Sequence, residues 1–411
     1  MRKPKLILMN HYASIPRFPG PTRNFDFASV LVKQGWQVSL FSCKFNHYLR
    51  RYLPQTVLHE NGVRLKWIWS TPYRGNSIQR ELNIVIFSFL SFWVGLWTPA
   101  EIILTVTPPL ESAFASWLLA KLKRVPFVLD VEDLWPDSII NMGFRNKFVI
   151  GWLRFLERFL YRHADHFLVV AGEMKEYLIR NGVPEAKIDL IPLGANLMEN
   201  LADNRLHAHN RKIIRNKYGW ADDEVIAVYV GAHGPANALD TLIQAAQILS
   251  GKEKIRIVMF GDGSDKPRLI KILNSLKLEI IQMEEPVPPE QVPEVLQASD
   301  IGIASLKDTP TFKTVRPNKL YEYMAAGLPI ICCIDGEARK FVSETETGLC
   351  VPPEDAVGLA EALRRLSVDP ELRRQFAEKG RKHIKNTGDR AKLALRMDEV
   401  LGKIIKGRRN L

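Results

Sequence analysis

Three side chains around residue 320 have the types and spacing to hold a nucleoside diphosphate. In the run from Arg316 to Ile331, RPNKLYEYMAAGLPII, Arg316 and Lys319 bracket the start of a stretch of good helix formers. Glu322 follows Lys319 by three residues. A helix N-terminus already carries roughly half a positive charge. Two cations there repel that end unless an anion comes in, and free N–H groups at a helix start favour phosphate. Glu322 shares the face of Lys319 one turn deeper. Its carboxylate can accept hydrogen bonds from vicinal hydroxyls, as acidic residues do for ribose in dinucleotide sites. With Asn318 between the cations, phosphate at the tip and ribose beside it describe a nucleotide site. A solvated loop followed by an exposed Glu is the other reading of the same residues.

The elements that must position these groups follow from the flanking residues. Pro317 suits the first helical position and Gly327 the residue just past the end, so a helix is expected over 318–326. Leu328-Pro329 then opens the apolar run Ile330 to Ile334, which reads as a buried strand. The same alternation runs through the chain. Strands are expected at 5–9, 38–43, 63–69, 102–106, 127–131, 166–171 and 188–192, with helices near 22–34, 77–97, 110–123, 146–163 and 173–181. A second round has strands at 225–230, 255–260, 279–283, 301–306, 329–334 and 349–351. Its helices fall near 237–249, 266–276, 290–298, 318–326 and 354–367, with more helix from 370 to 407. Alternation of this kind predicts an α/β protein with parallel sheets covered on both faces. With 411 residues, two domains are expected. The expected division is 1–195, a polar linker region at 196–224, 225–388, and a last helix at 389–411 crossing back to the first domain.

Open parallel sheets bind ligands at the carboxyl ends of their strands, so the loops there carry the remaining candidates. After the strand at 225–230 comes Gly231-Ala232-His233-Gly234-Pro235-Ala236-Asn237. Its glycines let a helix start approach phosphate, and Asn237 can cap that helix. His233 reads as a loop residue before it reads as a catalyst. Gly261-Asp262-Gly263 follows the next strand, in a pattern that tight turns also use. In the first half, Gly20 lies between two prolines and Arg23 opens a helix. Glu132 and Asp133 directly follow a buried strand, where they can orient an acceptor hydroxyl or take its proton. An N-cap carboxylate for the next helix is the alternative there.

The run at 316–331 resembles the donor-binding segment of the family 4 retaining glycosyltransferases of GT-B fold. It is most similar to a branch that builds bacterial surface polysaccharide and carries P-[SN]-K-x-x-E-Y-M-A-x-G-x-P. The resemblance extends over essentially the whole chain, most strongly from 225 to 355. It implies two Rossmann-like, doubly wound domains facing across a cleft, with Glu322 on the ribose and the backbone from Pro317 to Leu320 at the diphosphate. It also implies that Gly261 and Gly263 form the family's G-x-G turn, and that residues 284–287 pass the base. In the first half, Asp133 and Trp135 match an R/H-D-L-W-P segment and Thr105 to Pro109 match a T-x-P-P loop, placing Thr107 near the acceptor.

Three departures stand out. The usual Gly-Gly pair is replaced by Pro19-Gly20-Pro21, the Arg and Lys of the loop after 230 are absent, and the first Glu of the E-x7-E pair is Thr314. The implied reaction transfers a sugar from a UDP-sugar, often an N-acetylamino or deoxyamino sugar, with retention and without a metal or other cofactor. The implied acceptor is a lipid-diphosphate-linked or other glycan at the inner face of a bacterial membrane. A UDP-sugar 2-epimerase and a non-catalytic nucleotide-sugar-binding protein are the competing readings.

Composition agrees with that setting. The net charge is +12, and residues 1–195 hold 24 Lys and Arg against 15 Asp and Glu. A basic half suits nucleic acid or an anionic membrane surface. No nucleic-acid-binding module is apparent, which favours the membrane. The apolar run 84–97 is too short to span a bilayer, and no secretory leader is recognisable at the start. The expectation is a cytoplasmic, peripheral protein. The four cysteines show no metal-site spacing and read as reduced core residues.

Overall fold

Uninterrupted apolar runs such as LILM after Lys5 and IGIAS at 301–305 form strands buried on both faces, as parallel strands between two helix layers must. The computed structural model describes residues 3–75, 78–141, 143–198, 204–249 and 254–409. Two compact units result: Met1–Leu193 with Arg390–Leu411, and Gly194–Asp389. Each is a Rossmann-like α/β unit.

The first unit contains β1 (Lys5–Met9), β2 (Gln37–Cys43) and a small ribbon of β3 (Phe45–Asn46) with β4 (Arg51–Tyr52). Then come β5 (Val57–Glu60), β6 (Val63–Ile68), β7 (Ile102–Thr107), β8 (Phe127–Val131), β9 (His166–Val169) and β10 (Ile188–Leu190). The main sheet runs β10-β9-β8-β7-β1-β2-β6-β5. Its pairings are parallel, with Leu6 opposite Ile102 and Leu8 opposite Leu40, except that β5 returns antiparallel on β6. That hairpin turns at Asn61-Gly62, both at positive φ (50° and 76°). Asn-Gly is the pair a two-residue hairpin favours. The strand was not expected because its residues alternate only between exposed and half-buried, so no apolar run marks it.

Helices 78–96, 110–123, 147–163 and 172–180 cover one face, with Phe87, Leu119, Leu153 and Met174 in its core. Helix Arg23–Lys33 and the C-terminal helix Arg390–Arg409 cover the other, meeting through Phe25, Leu31, Met397 and Leu401. The last helix is pinned there by Trp36 Nε1 donating to Asp398 (2.6 Å) and by Arg390 on Asp26 (2.7 Å).

The second unit has β11 (Val225–Val230), β12 (Ile255–Phe260), β13 (Ile281–Glu284), β14 (Ile301–Ser305), β15 (Ile330–Cys333) and β16 (Gly348–Cys350). Their order is β13-β12-β11-β14-β15-β16, the 3-2-1-4-5-6 order of a doubly wound sheet, which reverses between β11 and β14. Part of the expected linker is structured. Residues Asn204–Tyr218 form a helix of the second unit. Its Arg211 (2.6 Å) and buried Arg215 (3.3 Å) bond Asp300, which also accepts the Ile226 N–H (2.8 Å). A polar segment is thus held by charge, beside the buried Ile214. Three cysteines are buried free thiols, as expected, whereas Cys350 on the edge strand is half-buried.

Candidate functional site

The helix Asn318–Ala326 lies at the reversal of strand order. Pro317 is its N-cap, one residue earlier than expected, and Gly327 ends it at φ 73°, the left-handed conformation for which glycine is suited. Tyr323, which sequence reasoning passed over, fixes the helix to the sheet. Its buried Oη donates to the Ile303 carbonyl (3.1 Å) and accepts from the Val230 N–H (3.2 Å). One phenol therefore ties the helix to both strands that flank the switch point. The signal was an aromatic among small residues with a polar tip to satisfy.

Three loops converge on the N-terminal end of this helix. The Lys319 ammonium lies 3.7 Å from the Tyr229 ring centroid, and a Cβ placed on Gly231 would be 3.0 Å from its Nζ. Burial pulls the Lys319 pKa down to about 7, opposed by Glu322. Cation–π contact compensates only part of the lost hydration, so the site favours an anion. Asn318 Nδ2 donates to Glu322 Oε1, holding the carboxylate along the helix face. The 261–263 loop lies against the 231–237 loop: a Cβ at Gly261 would stand 1.8 Å from the Gly231 carbonyl oxygen, and one at Gly263 would stand 2.3 Å from that of His233. These three glycines are where two backbones meet.

His233 is fully buried with neither ring nitrogen hydrogen-bonded. Burial, then the Lys266 charge, hold its pKa at about 4. Lys266, also unflagged by the sequence, is nearly buried and donates to the carbonyls of Gly261 (3.0 Å) and Glu284 (3.0 Å) and to Glu285 (2.7 Å). It crosslinks the ends of β12 and β13.

Several expected site residues have internal partners instead. Arg316 pairs with buried Glu337, donates to Tyr321 Oη (3.2 Å) and lies over the Phe341 ring (4.1 Å). Its charge is therefore already matched, and Lys319 remains as the cation at the helix tip. The Leu320 N–H closes the first turn on the Pro317 carbonyl (3.1 Å), and its side chain is core. Asn237 does not cap the following helix; it ends a 3₁₀ turn, Pro235–Asn237, and the helix begins at Asp240. Gly234 precedes that turn, and a Cβ placed on it would meet Asn237 Nδ2 at 3.9 Å. Thr314 ends another 3₁₀ turn with its hydroxyl on the Thr311 carbonyl (2.9 Å).

In the first unit the expected acceptor-side group is largely an internal network. Arg23 is buried, bonding Asp130 (2.6 Å), Glu132 (2.9 Å) and the Ile191 carbonyl (3.1 Å). Glu132 also accepts from Asn24 (3.3 Å), so its carboxylate is oriented by a neighbouring cation rather than available as a free base. Asp133 Oδ1 accepts from the Leu134 N–H (2.8 Å) and Ser138 Oγ (2.5 Å), securing the turn into the short helix Asp137–Asn141. Burial raises its pKa and these bonds oppose the shift. Trp135 and Thr107 are buried, Thr107 with its hydroxyl 3.4 Å from the Asp130 carbonyl oxygen. Gly20 is half-buried in the loop after β1, where the Pro19 carbonyl accepts from Asn46 (3.0 Å). Among the described residues no three or more His, Cys, Asp or Glu side chains are grouped to hold a metal ion.

Comparison with known proteins matches both halves. Residues 210–383 match the model for glycosyl transferases group 1, and residues 22–194 match the glycosyl transferase 4-like domain. A putative colanic acid biosynthesis glycosyl transferase of Escherichia coli is 26% identical over 80% of this chain and 86% of its own length. An alpha-D-kanosaminyltransferase of Streptomyces kanamyceticus is 23% identical over 65% of this chain and 68% of its own. Among solved structures, Anabaena HepE in complex with UDP-glucose superposes with a TM-score of 0.72 at 14% identity, over 97% of this chain and 99% of that one. With each half folded as a Rossmann-like unit and each matched by a glycosyl transferase model, the chain is a glycosyltransferase of GT-B fold related to the group 1 and 4-like transferases.

Proposed function

We propose that this chain transfers an N-acetylamino or deoxyamino sugar from a UDP-sugar, with retention, to a lipid-diphosphate-linked or oligosaccharide acceptor of bacterial surface polysaccharide. The observation that carries the reading is the meeting of Lys319, Gly231 and Glu322 at the strand-order reversal of the second unit. There a cation and a helix N-terminus serve the leaving diphosphate, and a carboxylate one turn on serves the ribose. The names of the kanosaminyl and colanic acid relatives support the amino sugar and the polysaccharide. UDP-glucose in HepE supports the uridine nucleotide.

The reading places the work at the cytoplasmic face of the membrane, with the first unit lying on the lipid. Helix Ile78–Leu96 and the residue after it expose Ile78, Leu82, Val85, Phe89, Trp93 and Trp97, spaced three or four apart and hence on one face. Helix 147–163 in the same layer exposes Phe148, Trp152 and Phe155, with Lys147, Arg158 and Arg162 exposed beside them. Aromatic and basic residues together suit an anionic interface. No described helix is long and apolar enough to cross a membrane.

The test incubates the protein with a UDP-sugar panel and bacterial membranes, following label into the lipid fraction and the anomeric configuration by NMR. Transfer with retention is expected, and Glu322→Gln should weaken UDP-sugar binding about tenfold through lost ribose hydrogen bonds. No transfer from any donor, with Glu322→Gln binding UDP as the parent does, would reject the reading. Co-sedimentation with anionic vesicles at low salt, lost in Trp93→Glu, checks the membrane face.

A further inference from the structure

Two of the four thiols sit side by side on neighbouring strands of the second unit. Cys332 on β15 and Cys350 on β16 are register partners in a parallel pair, so their side chains leave the same face of the sheet. Adjacent strands lie about 4.8 Å apart. That falls within the Cα separation of about 4.4–6.8 Å that a disulfide spans. Both cysteines are free thiols.

Their surroundings differ. Cys332 is fully buried, and its Sγ lies 3.6 Å from the Ile334 carbonyl oxygen. Cys350 is half-buried on the edge strand. Its Sγ lies 3.4 Å from Ser343 Oγ and 3.6 Å from the Arg339 carbonyl oxygen, both on helix Glu337–Glu344. The Arg339 guanidinium pairs with Asp335 (3.0 Å). The Cys332 thiol lowers the Cys350 pKa, burial opposes the shift, and Ser343 and the Arg339 charge lower it further. The remaining thiols provide a contrast. Cys333 turns to the opposite face, in the core with Ile331 and Val351, and Cys43 is buried in the first unit. Burial pushes both up to about 12.

An accessible, readily ionised thiol beside a second thiol is the arrangement in which one sulfur meets an oxidant and the other resolves it. We infer that Cys350 is a peroxide-reactive thiol and that Cys332 resolves it, giving a reversible disulfide between β15 and β16. The Cys350 thiolate attacks one oxygen of a hydroperoxide. The O–O bond breaks, a sulfenic acid forms, and the leaving oxygen takes up the proton that Cys350 released. The Cys332 sulfur then attacks the sulfenic sulfur. An S–S bond forms, the S–O bond breaks, and the hydroxide departs as water with the Cys332 proton. With hydrogen peroxide, two thiols and one peroxide give one disulfide and two waters. A dithiol reductant returns both thiols by exchange. The inference does not depend on the transferase reading, since neither cysteine is among the donor-site residues.

The experiment oxidises the reduced protein with hydrogen peroxide, counts free thiols and maps the blocked peptides by mass spectrometry. The count should fall from four to two, with Cys332 joined to Cys350 in a bond that dithiothreitol opens. At pH 7, iodoacetamide should label Cys350 at least about tenfold faster than Cys43 or Cys333. Cys350→Ser should lose no thiols to peroxide, and Cys332→Ala should stop at a Cys350 sulfenic acid that dimedone traps. The parent's peptide map decides independently of the variants: no Cys332–Cys350 peptide after oxidation overturns the inference. Disulfides between two chains instead, or oxidation of Cys43 and Cys333 as fast as Cys350, overturn it equally.

Discussion

Lys319 makes donor binding depend on pH in a direction that can be worked out beforehand. In the empty site its ammonium rests on the Tyr229 ring (3.7 Å), and burial lowers its pKa from 10.5 to about 7. The charged form is therefore present below pH 7 and lost above it. A bound diphosphate restores it, so above pH 7 each donor must bring a proton. About 3% of empty sites carry the charge at pH 8.5, and apparent affinity should fall about tenfold per pH unit above 7. From pH 6 to 8.5 the loss is about 30-fold, or about 2 kcal/mol. A UDP-sugar is the right ligand because its diphosphate diester does not titrate in this window, unlike the terminal phosphate of UDP. Calorimetry in two buffers of different ionisation enthalpy should show uptake near one proton per donor at pH 8.5 and near none at pH 6. Lys319→Met should bind weakly at every pH and show no slope. A flat affinity from pH 6 to 8.5, or the same slope in Lys319→Met, would refute the reasoning.

Two further outcomes are expected. Arg316→Ala should behave as a stability variant, losing about 3–5 kcal/mol in denaturant melts because it leaves buried Glu337 unpaired. A folded Arg316→Ala protein of parental stability that has lost only diphosphate affinity would contradict this. Thr314, whose hydroxyl is turned to the Thr311 carbonyl, offers the donor sugar no carboxylate, so a donor with an altered or missing hydroxyl should outpace UDP-glucose. Thr314→Glu should reorder the donor panel, and an unchanged ranking in transfer assays would count against that account.

How far the residues could be read alone depended on whether local chemistry decided the matter. The helix at 318–326 was legible because Pro317 and Gly327 punctuate it, and strands such as Val225–Val230 and Phe127–Val131 because apolar runs of that length bury on both faces. Two rounds of alternation sufficed for two doubly wound sheets. Lys319, Gly231, Gly261 and Glu322 stood out as candidates because cations, glycines and a carboxylate at strand ends have few structural uses together. The hairpin strand Val57–Glu60 was less so, since an edge strand needs no apolar run.

What only the tertiary structure decided is which charges already have partners. Arg316 reads as a ligand for the diphosphate and Arg23 as a candidate in the loop opening a helix, yet they meet Glu337 and Asp130, about twenty and more than one hundred residues away. Arg80 and Lys266 carry no signal in the sequence, yet one sits on Tyr12 and the other joins two strand ends. The physical reason is that a charge takes its partner from whatever the fold brings within about 3 Å, and a buried one must have such a partner. Sequence spacing says which residue types share a turn of helix. It does not say which distant carboxylate or carbonyl will meet them, and that meeting separates a binding cation from a structural one.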